Sequence, residues 1–126
     1  MNTYSYVDTN SMPHTAALHS LPLAPLTDDK AIELAEMFRL LGDPSRLRIV
    51  IETLDGPRAV GDIAQSLKLS PSLVSHHLRL LRAARLVSPE RRGKQIFYRL
   101  HDAHIAHVIA DMVAHVNEDS HDEVDA

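Results

Sequence analysis

Between Val60 and Leu100 the chain carries two short helical stretches, about Val60 to Leu67 and Pro71 to Arg85, and then a basic, alternating segment. Helices this close in sequence must be joined by a tight turn. The second opens with Ser70 as N-cap and Pro71 at its first position, the order that satisfies a helix start. On it Val74, Leu78 and Leu81 define one inward stripe, while Ser72, Ser75, His76 and Arg79 lie together about 100° to 200° away. The stretch Pro-Glu-Arg-Arg-Gly-Lys follows, with Arg92-Gly93 as its turn, and leads into Gln95-Ile-Phe-Tyr-Arg-Leu100. This predicts a β-hairpin with a cationic tip.

Two helices on a tight turn followed by a basic hairpin make a winged helix-turn-helix, mainly α with a small β-hairpin. In that arrangement the second helix enters the major groove of double-stranded DNA, where Ser72, Ser75, His76 and Arg79 reach base edges and phosphates. Arg91, Arg92 and Lys94 on the wing lie along the backbone or in the minor groove. His77, on the flank of the inward stripe, is expected to pack rather than to touch DNA. Arg82 and Arg85 either contact DNA or simply solvate the helix end and favour its dipole.

Charge segregation agrees. The net charge is −4, yet residues 58 to 99 hold nine Lys or Arg against Asp62 and Glu90, whereas residues 100 to 126 hold seven acids and no Lys or Arg. A basic middle between acidic ends fits a module that meets a polyanion with one face.

Residues 1 to 26 mix Pro13, Pro22 and Pro25 with Ser, Thr, His14 and His19 and show no sustained period, so a flexible arm is expected there. The compact domain is expected over 27–118, with 119–126 an acidic tail. A first helix runs from about Asp28 to Leu41, capped by Thr27 or Asp28, with Ile32, Ala35, Met37, Phe38 and Leu41 at helical spacing. A second takes Asp43 as N-cap and Pro44 at its first position and ends near Asp55-Gly56-Pro57. No apolar run approaches the length of a membrane span and no Lys or Arg precedes Lys30, so a cytoplasmic location without membrane attachment is expected. The chain has no cysteine, which excludes disulfides, thiolate metal sites and a cysteine nucleophile.

The C-terminal part adds Asp102-x-His104, ten residues, then His115-x-x-Glu118. Asp, His and Glu are ligands for a borderline divalent cation such as Zn(II). On a helix His104 and His115 share a face but stand roughly 16 Å apart along the axis, too far for one ion. A second copy running antiparallel would bring Asp102 and His104 of one chain level with His115 and Glu118 of the other. The array therefore implies a homodimer with two tetrahedral sites between subunits. Ile105, Val108, Ile109, Met112, Val113 and Val116 flank the polar stripe on one side and four alanines on the other, which suits a helix packed both on its own domain and on a partner. The bland alternative is a solvated stripe of His104, His107, Asp111, His115 and Glu118, with Asp102 an ordinary N-cap.

The segments Leu41-Gly-Asp-Pro-Ser-Arg-Leu-Arg-Ile49, Val60-Gly-Asp-Ile-Ala64, Val74-Ser-His-His-Leu78 with Leu86-Val87, and Phe97-Tyr-Arg-Leu100 resemble the ArsR/SmtB family of metal-sensing repressors. The resemblance covers about residues 28 to 118. It implies a homodimer that binds a palindromic operator when metal-free and leaves it on binding Zn(II), with Asp102, His104, His115 and Glu118 as ligands. It also implies a contact from the ring of His115 to the backbone carbonyl near Arg85, linking the metal shell to the recognition helix. Three departures stand out. Ala59 occupies a position where thiophilic sensors of the family carry cysteine. A second site drawing on Asp62, His14 and His19 lacks its thiolate. Lys68 and Arg85 replace glycine at turn positions, so a different local geometry is expected there.

Two alternatives remain: Ni(II) or Co(II) with His107, His121, His14 or His19 enlarging the shell, and a constitutive winged-helix protein without metal response. An enzyme is not expected, because a four-ligand site leaves no open position and the chain has no Gly-rich phosphate loop or nucleophile elbow.

Overall fold

A computed structural model describes residues 24–125, with side chains to Glu118. The chain divides into two units, Met1–Lys30 and Ala31–Ala126. The arm assigned to 1–26, with His14 and His19, lies almost wholly outside the described residues. Helix α1 spans Asp28–Leu41. Its cap is Thr27, whose Oγ1 accepts the Lys30 N–H at 3.2 Å.

In the second unit, α2 (Pro44–Glu52) begins on Asp43, whose carboxylate accepts the Arg46 N–H at 3.0 Å. The same Arg46 turns its guanidinium back to the Leu40 carbonyl at 2.9 Å, so the Gly-Asp-Pro-Ser-Arg corner is closed from both sides. The helix stops at Thr53, two residues before the expected Asp55-Gly56-Pro57 stop. Then come strand β1 (Arg58–Ala59), helix α3 (Val60–Leu67), helix α4 (Pro71–Ala83), strands β2 (Val87–Arg92) and β3 (Gln95–Leu100), and helix α5 (Ala103–Asp125). The antiparallel sheet has the order β1-β3-β2. β1 is a strand only because Arg58 and Ala59 pair with Tyr98 and Phe97.

Three expectations are corrected. In the hairpin Arg92 pairs with Gln95, so the two-residue turn is Gly93-Lys94 rather than Arg92-Gly93. Gly93, at φ +63°, takes the left-handed position that a tight hairpin turn requires. Helix α4 ends at Ala83 rather than Arg85. The non-glycine turns also keep a glycine-like geometry: Lys68 and Arg85 sit at φ 59° and 63°. Each costs on the order of 1 kcal/mol. Each is held by two backbone bonds of a Schellman turn: Leu69 N–H to the Ala64 carbonyl (3.0 Å) with Lys68 N–H to Gln65 (3.3 Å), and Leu86 N–H to Leu81 (2.9 Å) with Arg85 N–H to Arg82 (2.9 Å). Helix α5 itself continues past residue 118 to Asp125.

The core gathers Ile49, Val50, Ile63, Val74, Leu78, Leu81, Leu86 and Val87, all essentially inaccessible. Helices α1 and α5 contribute little to it. Leu40 is the buried residue of α1, whereas Ile32 and Phe38, two of the residues that give the helix its period, are exposed. On α5, Ile109 is buried and Ile105 and Val113 pack partly against the core, but Val108, Met112 and Val116 are open. An apolar groove runs between the two helices, lined by Met37, Phe38, Leu41, Leu86, Ile105 and Val108 among others. Among the described residues no helix is long and apolar enough to cross a membrane.

Candidate functional site

The α3-turn-α4 unit and the β2-β3 hairpin place the basic face. Ser70 Oγ accepts the Leu73 N–H at 3.1 Å and starts α4 where Pro71 fixes the first turn. Val74, Leu78 and Leu81 then anchor the helix at 0% exposure, which leaves Ser72, His76 and Arg79 exposed and Ser75 half-buried on the outer face. His77 is buried, as expected from its place beside the inward stripe, and its Nδ1 has no hydrogen-bond partner among the described residues. Burial, reinforced by the nearby Arg46 charge, pushes its ring below the ordinary histidine pKa, against the opposing pull of Asp43.

On the wing Arg91 and Lys94 are exposed. Arg92 is engaged within the hairpin: its Nε donates to Glu90 Oε2 at 2.6 Å and its guanidinium lies 4.8 Å from the Phe97 ring centroid. Glu90 also faces Arg99, 3.9 Å away. The cationic tip is therefore preset by an acid within the wing, an arrangement that sequence spacing does not announce because Glu90 and Arg99 meet only through strand pairing.

At the start of α5, Asp102 Oδ1 accepts the Ile105 N–H at 3.1 Å, so Asp102 is the N-cap. That bond chiefly, with His104 and His101 nearby, holds its carboxyl below the usual carboxylate range. An ionised carboxylate is what a metal site needs, and its role as cap leaves a second oxygen for another partner. His104 is almost fully exposed, its Nδ1 3.7 Å from Asp102 Oδ1. His115 and Glu118 follow on the same helix and are exposed, as are His107 and Asp111. Within one chain, among the described residues, no three His, Cys, Asp or Glu side chains come together as a metal site. Asp102 with His104 and His115 with Glu118 thus stand as two separate pairs on α5, about three helical turns apart. Both carry only nitrogen and oxygen donors, which fits Zn(II), Ni(II) or Co(II). Asp62 is exposed on the first turn of α3, where Ala59 gives no side-chain cap. The side chain of His121 lies outside the described residues.

Two residues that sequence reasoning missed join these regions. Ser88 Oγ and His101 Nδ1 are 2.9 Å apart, and the His101 N–H donates to the Leu86 carbonyl at 3.0 Å. Their separation by thirteen positions hides the pair until the hairpin forms.

Residues 43–88 match the family described as bacterial regulatory protein, arsR family. The HTH-type transcriptional repressor SmtB of Mycobacterium tuberculosis is 41% identical over 85 residues, 68% of this chain and 63% of that protein. The HTH-type transcriptional regulator NmtR of the same organism is 36% identical over 104 residues, covering 82% of this chain and 87% of the relative. The chain thus spans under two thirds of the first relative and most of the second. Among solved structures, a homodimeric winged helix-turn-helix DNA-binding domain from Mycobacterium bovis superposes with TM-score 0.65 at 29% identity, covering 80% of this chain and 94% of that one.

Proposed function

The chain belongs to the ArsR family of bacterial regulatory proteins, and from that premise we propose that it is a metal-responsive transcriptional repressor acting as a homodimer on double-stranded operator DNA. The observation that carries this reading is the split of the donor set. Asp102 and His104 open α5 while His115 and Glu118 stand about 16 Å farther along, and beside them along the helix runs the exposed apolar row of Val108, Met112 and Val116. A second copy seated on that row covers apolar surface and brings the opposite half-site within reach in one step. Bound there, Zn(II) would supply a tetrahedral link between the two α5 helices.

In the metal-free dimer the two α4 helices present Ser72, Ser75, His76 and Arg79 to successive major grooves, and Arg91, Arg92 and Lys94 follow the backbone. A fixed relation between the α5 helices changes the spacing of the recognition helices, so operator affinity falls. By linkage the operator weakens the metal site by the same factor. His107 is exposed on the same face, which favours Ni(II) or Co(II) as a second reading with a larger nitrogen shell. Operator anisotropy with each metal titrated separately decides between them, and no change with any metal defeats the sensor role.

The intersubunit site has a stricter test. His104→Ala and His115→Ala homodimers each lose one ligand from both sites. A heterodimer of the two, made with distinguishable tags, regains one complete set, so one tight Zn(II) per dimer is the expected result. A folded heterodimer without that site refutes the two-chain arrangement.

A further inference from the structure

At the junction of wing and α5 three parts of the molecule meet on one residue. The His101 N–H donates to the Leu86 carbonyl at 3.0 Å, and the Leu86 N–H in turn donates to the Leu81 carbonyl of α4 at 2.9 Å. The His101 ring lies 2.9 Å from Ser88 Oγ on β2. Its carbonyl accepts weakly, at 3.5 Å, from the Arg99 guanidinium, which is more firmly bound to the Leu100 carbonyl at 3.1 Å. The next residue is Asp102, which caps α5 and faces His104. The strand ladder stops one step earlier, at the Val87 and Leu100 pair. Beyond it, the Ser88–His101 bond is a side-chain contact that holds the first turn of α5 against the wing, while the Leu81–Leu86–His101 relay holds it to the recognition helix.

We infer that Ser88 and His101 are a positioning pair that transmits the state of the Asp102–His104 half-site to the wing and to α4; the inference rests on the metal-responsive reading above. A ligand that shifts the backbone at the start of α5 carries residue 101 with it, since His101 directly precedes the cap Asp102. The bond to Ser88 turns that movement into a displacement of β2, and so of the wing that carries Arg91 and Arg92. Without the hydroxyl, the α5 start can adjust while the wing stays in place. Ser88 lies on neither the base-reading face nor among the metal-ligand residues, so its loss affects the linkage between the sites rather than either affinity.

The test uses the full chain and a DNA duplex selected by the metal-free protein from a random-sequence pool. Duplex affinity is measured by anisotropy with and without Zn(II), and Zn(II) affinity by competition with a chromophoric chelator. Ser88→Ala is expected to leave metal-free duplex affinity and Zn(II) affinity unchanged but to shrink the factor by which Zn(II) weakens the duplex by about fivefold, the weight of one ordinary hydrogen bond. Ser88→Thr, which keeps the hydroxyl, restores the factor, and His101→Gln provides a second variant should Ser88→Ala fold poorly. A purely structural role would lower metal-free affinity and leave the factor intact, and that outcome, or an unchanged factor in both variants with Zn(II) bound, overturns the pair while sparing the sensor reading. Absence of Zn(II) binding or of any Zn(II) effect in the unmodified protein instead removes the sensor reading, and this inference with it.

Discussion

Helices α4 and α5 are both amphipathic, but one is finished by its own chain and the other is not. On α4 the stripe of Val74, Leu78 and Leu81 is at 0% exposure, whereas on α5 Val108, Met112 and Val116 remain at 53%, 58% and 57%. The contrast separates two uses of the same periodicity. A stripe answered by α2, α3 and the sheet makes a closed unit, and a stripe left open, together with the exposed side of α1, is the surface on which the proposed second copy would sit. The donor residues divide along the same line: hydrogen-bonding and basic groups ride on the closed part, metal-ligand types on the open part.

The largest expected difference comes from truncating each stripe. Leu78→Ala leaves a cavity in the closed core and should cost about 2 to 5 kcal/mol in urea unfolding. Val108→Asp, at an exposed position, should leave the fold of each protomer intact and instead weaken dimerisation by about 2 kcal/mol or more, the scale of a central interface residue, read by sedimentation equilibrium. The comparison breaks if Val108→Asp unfolds the chain as Leu78→Ala does, or leaves the dimer undisturbed.

A smaller effect tests the closed part through pH. His77 is buried, with Asp43, Arg46 and His76 as the charged or titratable groups around it, and its folded pKa is lowered mainly by burial. The unfolded chain therefore takes up a proton first. The stabilisation is full above the ordinary histidine value of about 6.5 and is lost as pH falls through the depressed folded value. His77→Gln should flatten this acid-side loss in unfolding curves collected across that range, and an identical pH profile would show that the buried ring does not report on the core. The smallest expected effect lies on the wing. Arg91→Ala and Lys94→Ala should each reduce the slope of log affinity against log salt by about one for each DNA phosphate left without its cation. Arg92→Ala should change it less, because Glu90 already pairs with that guanidinium. A larger change for Arg92 would mean that its internal pair opens on DNA.

Local chemistry made much of this fold legible. Thr27, Asp43 and Ser70 start their helices as short polar caps do, and the limits of α1 and α3 coincide with those predicted from spacing. The hairpin was legible in kind but shifted by one residue, since only the pairing of Arg92 with Gln95 reveals which two residues form the turn. Strand β1 was not legible at all, because two residues have no period and Arg58–Ala59 becomes a strand only beside β3. The left-handed Lys68 and Arg85 run against residue preference, and their geometry follows from the carbonyls of Ala64, Gln65, Leu81 and Arg82 that their turns must satisfy.

The sequence by itself determined the order of the helices, their caps, the stripe of α4, and the placing of cysteine-free metal-ligand residue types in two pairs along α5, because each depends on residues within a few turns of one another, where backbone geometry fixes direction. Tertiary structure decided which stripe is closed and which is open, the approach of Glu90 to Arg99 across the hairpin, and the junction at His101 with Leu86 and Ser88. Those interactions join residues on different elements, and no local preference can specify them until the core has brought their elements together.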